Sequence, residues 1–319
     1  MASEPILIST SINTTPSTFS CRLNSSAALR SRVRSRVTDF LALTKPEVNS
    51  LIVVATLAGF CMAYARSRVF PFSLLVHTLV GTLLAASGAG TLNQYLERRF
   101  DAQMRRTGRR PLADGRLQPS VVLWFGIALS AVGGIYLALA VNRLASLLAT
   151  VTVLSYLFVY TPLKRKTPFC TLIGAVPGAV PPLIGWAAAS GRLSLEAWIL
   201  YAILFLWQFP HFMAIAWMYR DDYDRAGYFV LPQSKARASF LAFQTVLPLV
   251  ALFPVSLLVA SFGLPSVVYC FGSLLLSLGF FYYGSRFLLL GSRSAARRLL
   301  LASVIYLPSL LALMVILKT

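Results

Sequence analysis

The chain has 319 residues, of which 57% are hydrophobic and 12% charged, with a formal net charge of +19. It is too apolar for a soluble domain of this length. The basic charge invites a nucleic-acid reading, but its distribution along the chain, set out below, excludes one.

Residues 1–37 are rich in Ser, Thr and Arg, with Glu4 the one acid, and lack the apolar core of a cleavable signal peptide. This composition resembles a mitochondrial transit peptide, but a disordered basic arm on a bacterial protein explains it equally well, and the short total length favours the arm. The membrane domain is expected over 38–319. Charge-free runs cover 48–65, 69–96, 117–142, 144–163, 167–191, 197–219, 238–285 and 299–317. Each is long enough to cross a hydrocarbon core that needs about 20 residues. The run 238–285 has room for two helices, with Gly263-Leu264-Pro265 as the natural break. The prediction is an all-α polytopic membrane protein with nine transmembrane helices, the last three free of ionisable residues within their spans. With the N-terminus on the cytoplasmic side, 24 of the 29 Lys and Arg fall on the inner face. That is the positive-inside asymmetry, and it accounts for most of the basicity. Cys21, Cys61, Cys170 and Cys270 are scattered singly, without the spacing of a metal site or disulfide framework.

In chain order, Leu43-Thr44-Lys45-Pro46-Glu47 opens the first helix. Thr44 suits an N-cap, Pro46 the first turn, and Lys45 the inner rim, where it either reaches an anionic substrate or snorkels to headgroups. His77 lies deep in the second helix and reads as a neutral, hydrogen-bonded residue. The fifth helix carries Pro177, Pro181 and Pro182 with Gly174 and Gly178. Such a segment is kinked or unwound, and it is expected to wall a binding cavity.

Two acidic clusters carry the chemistry. Asn93, Glu97 and Asp101 are spaced four apart, so a helix continuing to Asp101 places them near one face. Six arginines crowd around them: Arg98, Arg99, Arg105, Arg106, Arg109 and Arg110. Asp221, Asp222 and Asp224 follow the sixth helix. Four crossings separate the clusters, an even number, so both emerge on the inner side. Facing carboxylates amid cations suit a diphosphate held through Mg²⁺, which takes one or two carboxylates plus phosphate oxygens. An apolar cavity above them shields an allylic cation from water. The reaction class is prenyl transfer from a diphosphate.

Asn93-x₃-Glu97-x₃-Asp101, then Met104-Arg105-Arg106-Thr107 and Arg110-Pro111-Leu112, resembles the first acidic motif of the UbiA-type intramembrane prenyltransferases. More narrowly, the chain resembles the protoheme IX farnesyltransferases (haem O synthases). The likeness extends through Leu43-Thr44-Lys45-Pro46, Tyr160-Thr161-Pro162-Leu163-Lys164-Arg165, Pro181-Pro182-Leu183-Ile184-Gly185-Trp186, Pro210-His211-Phe212 and Asp221-Asp222-Tyr223.

The resemblance implies nine helices around a central cavity, farnesyl diphosphate and haem B as substrates, Mg²⁺ as cofactor and haem O as product. The expected location is a bacterial inner membrane, less readily a mitochondrial one, with a contact to a downstream haem A synthase or terminal oxidase assembly as a further expectation. By motif position, Asn93, Glu97, Asp101, Asp221 and Asp222 are catalytic and metal-binding. Arg105, Arg106, Lys164 and Lys45 are candidates for the diphosphate, and His211 with Trp207 for haem.

Two departures stand out. Glu97 occupies a position where the family often has Asp, and Arg225 follows Asp221 by four where the superfamily has a second carboxylate, leaving Asp222 or Asp224 for that role. The competing readings are a prenyltransferase for a quinone or chlorophyll precursor, a transporter, and a passive haem-binding protein.

Overall fold

The structure is a computed structural model that describes residues 36–64, 69–232, 236–262 and 266–318. The chain divides at residue 40. Of the first unit only 36–40 are described, and they are helical. Most of the expected N-terminal arm, and the expected break at Gly263-Leu264-Pro265, lie outside the described residues.

Among the described residues of the second unit there are nine helices long and apolar enough to cross a membrane. They are α1 (Pro46–Ala63), α2 (Phe72–Asp101), α3 (Pro119–Ala140), α4 (Arg143–Leu163), α5 (Cys170–Ser190), α6 (Leu195–Met218), α7 (Arg237–Ser261), α8 (Val267–Leu290) and α9 (Arg293–Lys318). At about 1.5 Å per residue even the shortest approaches the roughly 30 Å hydrocarbon thickness. The 30-residue α2 exceeds it, and its last turns carry the first acidic cluster as one continuous helix. The spans are inside out in different degrees. Over an 18-residue apolar stretch of each, 67% of α5 and 61% of α6 is buried, against 28% for α3, α4 and α8, so α5 and α6 lie innermost and the other three are more exposed.

Close backbone approach fixes the centre of the bundle. A Cβ on Gly59 of α1 would lie 2.1 Å from the Pro182 carbonyl oxygen, and one on Gly185 of α5 would lie 1.9 Å from the Thr56 carbonyl oxygen. Only glycine permits α1 and α5 to touch main chain to main chain. The proline-rich stretch breaks α5 as expected, into Cys170–Gly178 and Pro181–Ser190. The break is covered by Gln208 of α6, whose amide donates to the Ala175 carbonyl at 3.2 Å. His77 has the structural role read from the sequence: its Nδ1 lies 2.7 Å from the Tyr136 hydroxyl and ties α2 to α3. Cys61, Cys170 and Cys270 are free thiols.

Two expectations are corrected. Thr44 does not cap α1. Its hydroxyl turns back to the Leu41 carbonyl (2.8 Å), and Lys45, in a left-handed conformation, occupies the cap position. Nor are the last three helices free of charge: α8 includes Arg286, and α9 runs from Arg293 through Arg297 and Arg298 to Lys318. Long basic side chains reach the interface from within a helix, so helices outrun charge-free stretches.

Candidate active site

The stripe at the end of α2 is buried: Asn93 is 2% exposed, Glu97 7% and Asp101 2%. Each member meets a cation, and each cation comes from a different part of the chain. Lys45, before α1, donates to Asn93 Oδ1 at 3.0 Å. Lys164, just after α4, reaches Glu97 Oε1 at 2.9 Å. Arg110, in the α2–α3 loop, reaches Asp101 Oδ2 at 2.7 Å. The result is a ladder of three oxygen–cation rungs. Buried charges persist only when paired in this way.

Local structure explains how the second cation arrives. Residues Tyr156–Tyr160 of α4 form a π-helical turn, closed by the Thr161 N–H to the Tyr156 carbonyl. Pro162 has no N–H to continue a regular ladder, and one wide turn accommodates it. Lys164 follows within one turn. Thr161 in turn accepts from Asn93 Nδ2 at 3.2 Å, which leaves Asn93 Oδ1 facing Lys45.

The electrostatics of the rungs differ. Burial, together with Arg110 and Lys164, lowers Lys45 to about 7, against the pull of Glu97 and Asp101. Burial also disfavours charge on Lys164, but the Glu97 carboxylate and the nearby Tyr160 and Tyr156 outweigh it and hold that ammonium well above its ordinary value. Tyr228, buried against Met104 and Ala226, is raised by burial and by Glu97, and stays a protonated phenol. Sequence reading had not singled it out.

The second cluster is built differently. Asp222, on the short helix Arg220–Arg225, is buried and accepts from the backbone N–H groups of Arg105 (3.3 Å) and Arg106 (3.2 Å) and from Arg225 (3.2 Å). It joins the segment after α6 to the loop after α2, so the two acidic clusters do meet on one side. The side chain of Asp221 is 84% exposed, with Arg220 at 3.6 Å. Asp224 is exposed as well.

Among the diphosphate candidates, the structure brings Lys45 and Lys164 to the stripe. Arg105 and Arg106 contribute main chain to Asp222 while their side chains are exposed, that of Arg106 over the Tyr219 ring at 4.8 Å. The arginine that the structure brings to the stripe is Arg110. It is one of six neighbouring arginines, marked in the sequence only by its place in Arg110-Pro111-Leu112.

His211 and Trp207 stand one turn apart on α6 and stack with ring centroids 4.8 Å apart. Both are tied to Ser303 of α9. Trp207 Nε1 donates to its carbonyl at 2.8 Å, and His211 Nδ1 lies 2.7 Å from its hydroxyl. That hydroxyl is 2.6 Å from the Leu300 carbonyl.

Among the described residues no three His, Cys, Asp or Glu side chains converge as a ready metal cage. Magnesium does not need one, since it takes one or two carboxylates and completes its shell with substrate phosphates and water. The hard oxygens of Asn93, Glu97 and Asp101, each now satisfied by an exchangeable cation, fit that requirement.

The sequence matches the UbiA prenyltransferase family over residues 52–307. A protoheme IX farnesyltransferase of Solibacter usitatus is 46% identical over 285 residues, 87% of this chain and 98% of that protein. Among solved structures, a digeranylgeranylglyceryl phosphate synthase has a TM-score of 0.70 at 15% identity, over 89% of this chain and 99% of that one. A UbiA homologue from Archaeoglobus fulgidus, bound to GPP and Mg²⁺, has a TM-score of 0.59 at 15% identity, over 86% and 99%. At that identity the two structures speak for the fold. The chain is a multi-pass membrane protein that belongs to the UbiA prenyltransferase family and, within it, to the group of the protoheme IX farnesyltransferases.

Proposed function

We propose that this protein transfers the farnesyl group of farnesyl diphosphate to a vinyl group of haem B, with addition of water, giving haem O and diphosphate. The observation that carries the chemistry is the three-rung ladder: buried oxygens, each paired with a partly buried cation, at a membrane rim. When the substrate arrives, Lys45, Lys164 and Arg110 turn from their oxygens to the diphosphate, and Asn93, Glu97 and Asp101 are released to hold Mg²⁺. The metal, where bound, offsets charge on the diphosphate. Asp222 keeps the α2–α3 loop, and hence Arg110, in place, while Asp221 is the open carboxylate available to a second ion.

The C1–O bond of the farnesyl diphosphate breaks with its electron pair leaving on the diphosphate, whose growing charge the three cations stabilise. The vinyl π electrons of haem bond to C1, the new cation beside the porphyrin takes water, and a proton is lost. Tyr156 and Tyr160, with ring centroids 5.3 Å apart, offer aromatic faces near Lys164 for the allylic cation.

His211 lies seven residues before the end of α6, roughly 10 Å deeper than the rim. The single proton of the Ser303 hydroxyl goes to the Leu300 carbonyl, so His211 Nδ1 donates to Ser303 and Nε2 keeps its lone pair, the state of an axial haem ligand. Trp207 is its stacking shelf. We place the protein in a bacterial inner membrane with the N-terminus and the ladder on the cytoplasmic side. The expected contact with a haem A synthase or terminal oxidase assembly rests on the chemistry of the product.

The test incubates purified protein with haem B, farnesyl diphosphate and Mg²⁺ and weighs the haem. The expected product carries a farnesyl group plus water. Unaltered haem, or prenylation of a quinone precursor offered in its place, overturns the reading.

A further inference from the structure

Lys45 is in an unusual backbone state for what it does. Its φ of 52° and ψ of 61° are left-handed, and among the described residues no other non-glycine residue has a positive φ. It also precedes Pro46, and the residue before a proline is normally driven to extended conformations. A left-handed residue without glycine's freedom costs on the order of 1–3 kcal/mol and persists only where its surroundings over-determine it.

The surroundings here are specific. Gln94 Nε2 donates to the Leu43 carbonyl at 2.9 Å, and the Thr91 hydroxyl is 3.4 Å from the same oxygen. Asn49 Nδ2 donates to the Thr44 carbonyl at 2.7 Å and to Ser87 Oγ at 2.9 Å. Asn49, Ser87, Thr91 and Gln94 are all buried. Thus the two carbonyls immediately before Lys45 are each held by a buried amide, one from α1 and one from α2. The α2 amide, Gln94, is the direct neighbour of Asn93, the residue that Lys45 reaches. Gly90, one turn earlier on α2, borders the lysine stem: a Cβ there would sit 3.5 Å from Lys45 Cδ, an ordinary contact. No part of this arrangement is needed to start a helix, since an extended N-cap residue serves that purpose without strain.

We propose that Asn49 and Gln94 are positioning residues for the reaction: together they clamp the Leu43–Lys45 turn in its left-handed form and so deliver the Lys45 ammonium to the diphosphate. This rests on the reading of Lys45 as a diphosphate contact. Without the clamp the turn relaxes to an extended form, the ammonium leaves Asn93, and the site keeps two cations in place of three.

The test is a kinetic cycle on the full-length enzyme in detergent or nanodiscs, with Lys45→Met, Gln94→Met, Asn49→Leu and the double variant K45M/Q94M. K45M is expected to raise KM for farnesyl diphosphate about tenfold, the effect of about 1.4 kcal/mol. Q94M and N49L are expected to raise it nearly as much, with the haem absorption spectrum and KM for haem unchanged. K45M/Q94M is expected to match K45M alone, because the clamp acts only through the lysine. Gln94→Asn, whose amide is too short to reach Leu43, gives a milder loss of the same kind and serves if Q94M does not fold. Wild-type KM in Q94M or Q94N while K45M is impaired overturns the clamp alone, as does a double variant with multiplied effects. Wild-type KM in K45M overturns the reading of Lys45 itself.

Discussion

The two acidic clusters face each other at one rim, yet they are made on different plans. At the end of α2 all three oxygen-bearing side chains are buried, and each is matched by one cation. After α6 one carboxylate of three is buried, and it is spent on the backbone of Arg105 and Arg106. The first cluster stores charge in a poised form, and the second uses one charge as a clip and leaves two in water. The contrast teaches that a run of acids in sequence is not a unit of function. What counts is which carboxylate lacks a permanent partner once substrate has displaced the cations.

Four experiments press on that contrast. The largest effect is expected for Asp101→Asn, which removes charge from the poised cluster: turnover falls on the order of 10³-fold while haem binding persists. Equal loss of both makes Asp101 structural. Next, Glu97→Gln is expected to cost about 10²-fold, while Glu97→Asp, which keeps the charge on a shorter arm, retains more activity than Glu97→Gln. Equal rates for the two would mean that the charge of Glu97 is not used.

The two aspartates after α6 should then part company. Asp222→Asn leaves the Arg105 and Arg106 N–H groups with a weaker acceptor. It is expected to lower stability by about 1–3 kcal/mol, read as a drop in Tm, with activity falling alongside. Asp221→Asn is expected to leave Tm unchanged while KM for Mg²⁺ rises several-fold, about 1 kcal/mol. A stability loss in Asp221→Asn, or none in Asp222→Asn, erases the distinction drawn above. The smallest effect on the rim is expected from His211→Ala, which is remote from both clusters. The haem absorption spectrum shifts while KM for farnesyl diphosphate holds, and an unchanged spectrum removes the axial-ligand assignment.

Much of the architecture was legible in the sequence because its cause is local. Apolar run length alone gives the spans, spacing of four puts Asn93, Glu97 and Asp101 on one stripe, and three prolines with two glycines break α5. Helix ends were less legible, as Arg286 and Arg293 illustrate, since a basic side chain at the interface is tolerated inside a helix. The exposure of Arg105 and Arg106 beside the half-buried, paired Arg110 could not be read either.

Apolar run length and residue spacing thus suffice for a nine-helix membrane protein with an oxygen stripe amid arginines, and the motifs point to the family. Which cation meets which oxygen is a property of the folded chain. Lys45, Lys164 and Arg110 stand 48, 67 and 9 residues from their partners. Those pairings depend on a left-handed turn before α1, a π-helical turn in α4 and a loop pinned by Asp222. Each of these is a departure from regular geometry, held by contacts between distant segments, and periodicity carries no record of such contacts.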